Sequence, residues 1–410
     1  LDRAVSEPLG PLDGVRVVEL AGWMAAPGAA AIFADMGADV VKVEPLRGDP
    51  VRGVIRKPEQ PAGDAPIDAG YQMDNRGKRG IAVAVNTEAG QRLVRSLVAN
   101  ADVFLCNLLV GRQQKYGLDS DSLLGVNPRL VHATLTGYGL TGPDAWRPGF
   151  DITAFFGRGG ITHSITEPGS QAPRARPAQG DHAAALALTT AVLAALRLVE
   201  RTGQGQVVDV SLLGTAAWTM STDLSSTLVD GKDARTLGRR LRVHALQESF
   251  RTADDRWVLL FMPEPHWWPR FCAVVGRGQW VSDPRFETFA LRGEHMPELT
   301  DLMDELFASR TLAQWGDLFD AERFTWAPAS TVAELAADPQ AAALGLFPEV
   351  VSPTAGTFRT VAAPMTVRGA RIAPRGPAPD LGQHTAQVLA ELGRTPEEVA
   401  ALVADGVVGV

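Results

Sequence analysis

In the first half of the chain, short runs of consecutive apolar residues alternate with longer stretches where small and apolar residues recur every three or four positions. The runs VRVVEL (15–20), DVVKVE (39–44), GIAVAV (80–85) and DVFLCNL (102–108) are nearly continuous in hydrophobicity. That pattern predicts strands buried on both faces. RLVHATLTGYG (129–139) and QVVDVSLL (206–213) add two more. PGAAAIFADMG (27–37) and TEAGQRLVRSLVANA (87–101) predict helices between strands, with Pro27 suited to a first turn. Strands separated by single helices require right-handed crossovers and give a mostly parallel sheet. The fold class is therefore α/β, with a Rossmann-like large domain.

Two connections, 45–74 and 140–178, are long and polar, and loops of that length inside a compact domain are usually functional. The second ends at ARPAQGDHAAALALTTAVLAALRL (175–198), an alanine- and leucine-rich helix whose opening carries Asp181. After about 226 the texture changes. DGKDARTLGRRLR resembles a linker, SFRTADDRWVLLFM a hairpin with Asp254 and Asp255 near its turn, and amphipathic helices follow. Strand-like text resumes after 340 with FRTVAAPMTV, and the chain closes on GQHTAQVLAELGRTPEEVAALVADGVV.

The length of 410 residues allows two domains, and a net charge of -8 argues against general binding to nucleic acid or to a membrane surface. An anionic ligand must then be held by a local basic cluster. Cys106 and Cys272 form neither a CxxC pair nor a disulfide framework, which points to a reducing cytoplasm. Unbroken apolar runs fall short of the roughly 18 residues of a membrane span, and LDRAVSEPLG has no signal-peptide features.

The first strand leads into AGWMAAPGA and lacks the GxGxxG spacing that seats a dinucleotide. The seven histidines show no metal-ligand spacing, and there is no GxSxG elbow. Asp181 has two readings. It can cap the helix, or it can be a carboxylate held in a partly dry pocket for chemistry. His182 beside it points about 100° away around the helix. DNRGKRG (74–80) gathers Arg76, Lys78 and Arg79, and GRQQKYG (111–117) adds Arg112 and Lys115. Each is either a solvated turn or a phosphate contact at the ligand-binding edge of the sheet.

Taken in order, these stretches resemble the family III CoA-transferases, the group of formyl-CoA transferase, carnitine CoA-transferase and 2-methylacyl-CoA racemase. The resemblance is carried by PLDGVRVVELAGWMAAPGAAAIFADMGADVVKVEPLRGDPVRG (11–53), NRGKRGIAV (75–83), ADVFLCNLLVGRQQKYGLD (101–119), LTGYGLTGPDAWRPGFD (135–151), the 180–213 segment and LGQHTAQVLAELG (381–393). It implies a large domain from 1–226 and 338–410, a small α+β domain at 240–330, linkers at 227–239 and 331–337, and a homodimer of interlocked rings. Asp181 matches the family's catalytic aspartate. Lys78, Lys115, Asn107 and Ala25 match positions around CoA, and Arg76 and Arg112 belong to the same basic patches. Tyr138 falls in the GYG turn near the reacting centre. Pro45 replaces an arginine of formyl-CoA transferase, with Arg47 as its substitute, and Met24 replaces a glutamine, which disfavours oxalate and formate.

The implied reaction moves CoA from an acyl-CoA to a carboxylic acid through an aspartyl anhydride and an aspartyl-CoA thioester. CoA is a co-substrate, and no metal or redox cofactor is required. The alternative is 2-methylacyl-CoA racemisation. That needs two opposed proton carriers, and Phe150 stands where the racemases have a histidine; Glu264 is a loose match to their glutamate. A non-catalytic CoA-binding protein is a third reading. Trp267 and Trp268 are read either as core residues or as an acyl pocket.

Overall fold

The computed structural model describes residues 9–52, 67–234, 237–242 and 244–410, which form two compact units. The larger comprises 1–163, 174–232 and 339–410, and the smaller 164–173 and 233–338. The resemblance implies that 164–173 belongs to the large domain, as part of 1–226, whereas it clusters with the smaller unit. This ten-residue excursion is polar and carries no periodic pattern, so only tertiary packing reveals where it belongs.

The six expected strands form as β1 (Arg16–Leu20), β2 (Asp39–Glu44), β3 (Arg79–Val83), β4 (Val103–Cys106), β5 (Val131–Thr136) and β6 (Gln206–Ser211). All neighbours are parallel, in the order β3-β2-β1-β4-β5-β6. The terminal segment Val408–Gly409 pairs antiparallel with β3 and covers that edge. β4 and β5 are buried at every position, as the continuous apolar runs require.

One face of the sheet is covered by the Ala25–Asp35 helix, which is buried at all eleven positions, and by the Gln179–Thr202 helix. Gly28 allows their close approach. A Cβ there would stand 3.2 Å from Asp74 Oδ1 and 3.4 Å from Ala185 Cβ. The longer helix buries Ala184, Ala185, Leu188, Val192, Ala195 and Val199 in one stripe. By length and composition this helix could span a membrane, which run-counting had denied because Thr and His interrupt the sequence. Its stripe packs in the same core as β4 and β5. On the opposite face, Leu93, Val94 and Leu97 of the Glu88–Val98 helix meet Val41, Ile81 and Phe104, and Val388 and Leu389 of the Thr385–Glu391 helix join them.

The smaller unit has a three-stranded antiparallel sheet, Ser249–Arg251, Trp257–Leu260 and Trp326–Pro328. The expected hairpin is there, with Asp255 at φ 61° in its turn. Helices Trp267–Val274, Met296–Phe307 and Leu312–Ala321 close over an aromatic core of Phe250, Phe271, Phe307, Trp315 and Phe319. Trp268 is part of that core, so its bland reading holds, and Trp267 donates its indole N–H to Glu264 Oε2 at 2.7 Å.

Candidate active site

Strand order reverses between β1 and β4. The crossovers leave these strands in opposite directions, opening a crevice beyond their carboxyl ends. Asn107, just past β4, closes the floor by donating to Gly22 O at 2.8 Å and accepting from Gly22 N at 3.3 Å. Above it lies a cavity of about 150 Å³ into which Trp23, Ala25, Asn107, Leu135, Phe150, Asp181 and Leu212 face. Its walls come close because Gly137 and Gly149 touch. A Cβ on Gly137 would lie 2.7 Å from Gly149 Cα.

Asp181 is the third residue of its helix and does not cap it. The cap is Ala178, at φ 78°, with no side-chain cap bond, so the capping expectation is corrected. The Asp181 carboxylate has no hydrogen-bond partner among the described residues. Burial and the nearby charges of Asp151 and Asp74 push its pKa up to about 7, against the opposing pull of His182. His182 turns away from it, as the helical offset requires, and its Nε2 meets Asp74 Oδ1 at 3.0 Å. That bond and the surrounding carboxylates raise the imidazole pKa above its usual value, against burial, which favours the protonated ring beside Asp181. Asp151 opens a π-helix, Asp151–Gly157, a form frequent at functional sites. Its Oδ1 accepts from Ile152 N at 2.7 Å, while Oδ2 is buried with no hydrogen-bond partner among the described residues. Sequence reading missed Asp74, 108 residues from His182, and passed over Asp151 in GFD while weighing Phe150.

Trp23 adopts φ 66°, a left-handed conformation that costs a bulky residue about 1–3 kcal/mol. Its N–H is held by Asp49 Oδ1 at 3.0 Å, and Asp49 Oδ2 accepts from the buried Lys42 Nζ at 2.9 Å. Lys42 also meets Glu19 Oε1 at 3.0 Å. Burial alone would lower the Lys42 pKa, but Glu19, Asp49 and Glu44 outweigh it and hold the amine charged. The Trp23 ring meets Phe150 edge-on, with centroids 5.2 Å apart.

The basic turn does something other than bind phosphate. Lys78 is inaccessible, its ammonium 2.6 Å from Glu19 Oε2 and donating to Pro27 O, Asp74 O and Asn75 Oδ1. Burial brings its pKa down to about 8 despite Glu19. Arg76 is equally buried, forked onto Asp35 and bonded to Met73 O. Arg79 bridges Asp39 and Glu391. Both Lys78 and Arg76 are buried and held by partners inside the fold, out of reach of a ligand, which corrects both expectations. The local sequence could not reveal that Asp35 and Glu19 lie opposite.

A separate cleft of about 510 Å³ lies past the ends of β1 to β4, where Arg47, Arg112, Pro45, Asn86, Leu108 and Tyr116 line it. Lys115 is exposed on the Val110–Tyr116 helix and is not among the lining residues. Tyr138 sits beside Gly137 with its ring facing Arg158 at 5.1 Å and Arg147 at 5.9 Å. Glu264 belongs to the smaller unit. No three His, Cys, Asp or Glu side chains gather as a metal site among the described residues. Burial pushes the Cys106 thiol up to about 11 and Cys272 to about 12, which removes thiolate chemistry.

Asp181 thus lines the switch-point cavity, and a separate basic cleft opens past the ends of β1 to β4. The profile of CoA-transferase family III matches residues 12–385. The (R)-2-hydroxy-4-methylpentanoate CoA-transferase of Clostridioides difficile is 32% identical, over 95% of this chain and 97% of that protein. The succinate–glutarate CoA-transferase of Agrobacterium fabrum is 34% identical, over 93% and 96%. A crystal structure of a CaiB/BaiF family protein from Brucella suis superposes with a TM-score of 0.82 at 30% identity, covering 94% of this chain and all of that one. With sheet order, cleft and whole-length similarity in accord, the chain belongs to CoA-transferase family III.

Proposed function

We propose that this enzyme transfers CoA between carboxylic acids with Asp181 as the covalent carrier. Asp181 Oδ attacks the carbonyl carbon of the donor thioester, the C–S bond breaks, and CoA thiolate leaves a mixed acyl–aspartyl anhydride. The thiolate attacks the Asp181 carbonyl carbon, breaks the anhydride C–O bond and releases the donor carboxylate, leaving an aspartyl-CoA thioester. An acceptor carboxylate repeats the two steps in reverse and departs as its CoA thioester. No net proton is consumed. The His182 cation offsets the negative charge that Asp181, the thiolate and the free acid carry in turn.

The observation that carries this reading is an Asp181 carboxylate that faces the switch-point cavity without a hydrogen-bond partner among the described residues. A hydrated carboxylate is a weak nucleophile, and removing its solvent raises its reactivity. Arg47 and Arg112 supply charge for the CoA phosphates in the larger cleft, and Asn107 and Ala25 line the cavity at Asp181. We place the enzyme in the cytoplasm as an interlocked homodimer, which should remain dimeric in sedimentation at nanomolar concentration. Incubation with acetyl-CoA should leave a CoA-sized adduct on the Asp181 peptide, convertible to a hydroxamate by hydroxylamine. Deuterium uptake next to the thioester without an adduct would instead identify a racemase and refute the proposal.

A further inference from the structure

We infer that the acid this enzyme activates is a monocarboxylate with an apolar body of about ring size, seated against Trp23 and Phe150, and that dicarboxylates are rejected. The inference rests on the transferase reading and deepens it at the same site. The relatives' names do not decide the point, because one names a branched hydroxy acid and another two dicarboxylates. Three observations in this chain do.

The first is volume. The cavity at Asp181 measures about 150 Å³, and an apolar cavity of about that size takes up a benzene ring. The second is charge. Among the described residues its lining contains no lysine or arginine, and the one charged side chain there is Asp181. A second carboxylate would be desolvated away from His182, which is already paired with Asp74, and would be repelled by Asp181 and by the buried Asp151 behind it. The third is the aromatic pair itself. Trp23 holds a backbone conformation that glycine would adopt freely, and its N–H is tied through Asp49 to an ion network that leaves its ring edge-on to Phe150. A tryptophan retained at such a position is kept for its side chain, and both rings still present surface, 36% for Trp23 and 50% for Phe150. An acyl body against their exposed surfaces gains edge and face contacts that a second carboxylate cannot make.

The test uses the full chain with acetyl-CoA as donor and, as acceptors, 4-methylpentanoate, 3-phenylpropanoate, succinate, glutarate and propanoate. Product thioesters are quantified by mass spectrometry. The apolar acids should exceed both dicarboxylates in kcat/KM by about a hundredfold or more, the discrimination expected when one unpaired charge must be buried. Trp23→Gly removes the ring and relieves the positive φ, so folding is not at risk from strain. It should lower the ratio of kcat/KM for 3-phenylpropanoate to that for propanoate by about tenfold, and Phe150→Leu should lower it in the same direction. Preference for succinate or glutarate, or a ratio unchanged in both variants, would overturn the inference while the Asp181 adduct still formed. Loss of transfer to every acid, with no adduct from acetyl-CoA, would instead fault the transferase reading on which it rests.

Discussion

Asp181→Asn should stabilise the protein while abolishing transfer, and the stabilisation should depend on pH in a defined direction. In the unfolded chain the carboxyl titrates near 3.8, and in the folded protein near 7. The folded state therefore binds more protons between these values, so stability falls as pH rises from about 4 to about 7. The cost is absent below the unfolded value and complete above the folded one. Three pKa steps at about 1.4 kcal/mol each set an upper bound of about 4 kcal/mol. Partial solvent access and relaxation around Asp181 reduce the expected figure to about 1–3 kcal/mol. Asparagine keeps the shape and carries no charge, so it escapes this cost. The assay is urea unfolding of both proteins at fixed concentration from pH 4.5 to 8.5. The midpoint of the mutant should pull ahead of the wild type as pH rises and hold its lead above about pH 7. A mutant less stable than wild type at pH 8, or a gap that does not change with pH, would show that Asp181 is not a desolvated carboxylate. Retained transfer in the same mutant would show that it is not the carrier.

His182→Gln keeps a donor for Asp74 but removes the cation, so the Asp181 pKa should rise and the acidic limb of the kcat/KM profile should move to higher pH. A profile displaced downward or not at all would contradict the charge assignment. Lys78→Met leaves Glu19 with one fewer buried counter-ion and should destabilise the large unit by about 3–5 kcal/mol in denaturant, with the loss little affected by salt. Near-native stability would return Lys78 to the role of a ligand contact. Arg112→Ala and Arg47→Ala should weaken CoA binding in calorimetry, with the deficit shrinking as salt rises. Equal affinity at low salt would remove the larger cleft from the CoA path.

The strand and helix text of the large unit was legible because hydrophobic burial acts at short range along the chain. Continuous apolar runs such as VFLC at 103–106 can only be sheet interior, and alternation with helices forces parallel pairing. The β1–β4 switch point follows from that topology, and Asp181 draws notice in the sequence because a carboxylate opening an apolar helix stands out in one dimension. The partners of each charge were not legible. Lys78 and Arg76 read as a phosphate-binding turn until folding placed Glu19 and Asp35 against them, and a buried cation takes whatever anion the interior supplies. The cap reading of Asp181 fell when the helix was seen to begin at Gln179, with Ala178 as its cap. The pairing of Asp74 with His182 and the edge-on contact of Trp23 with Phe150 join residues more than 100 positions apart, and Asp151 nears Asp181 across a long irregular connection. Periodicity fixes which face of an element is buried, and only the three-dimensional packing decides what each polar group on that face will meet.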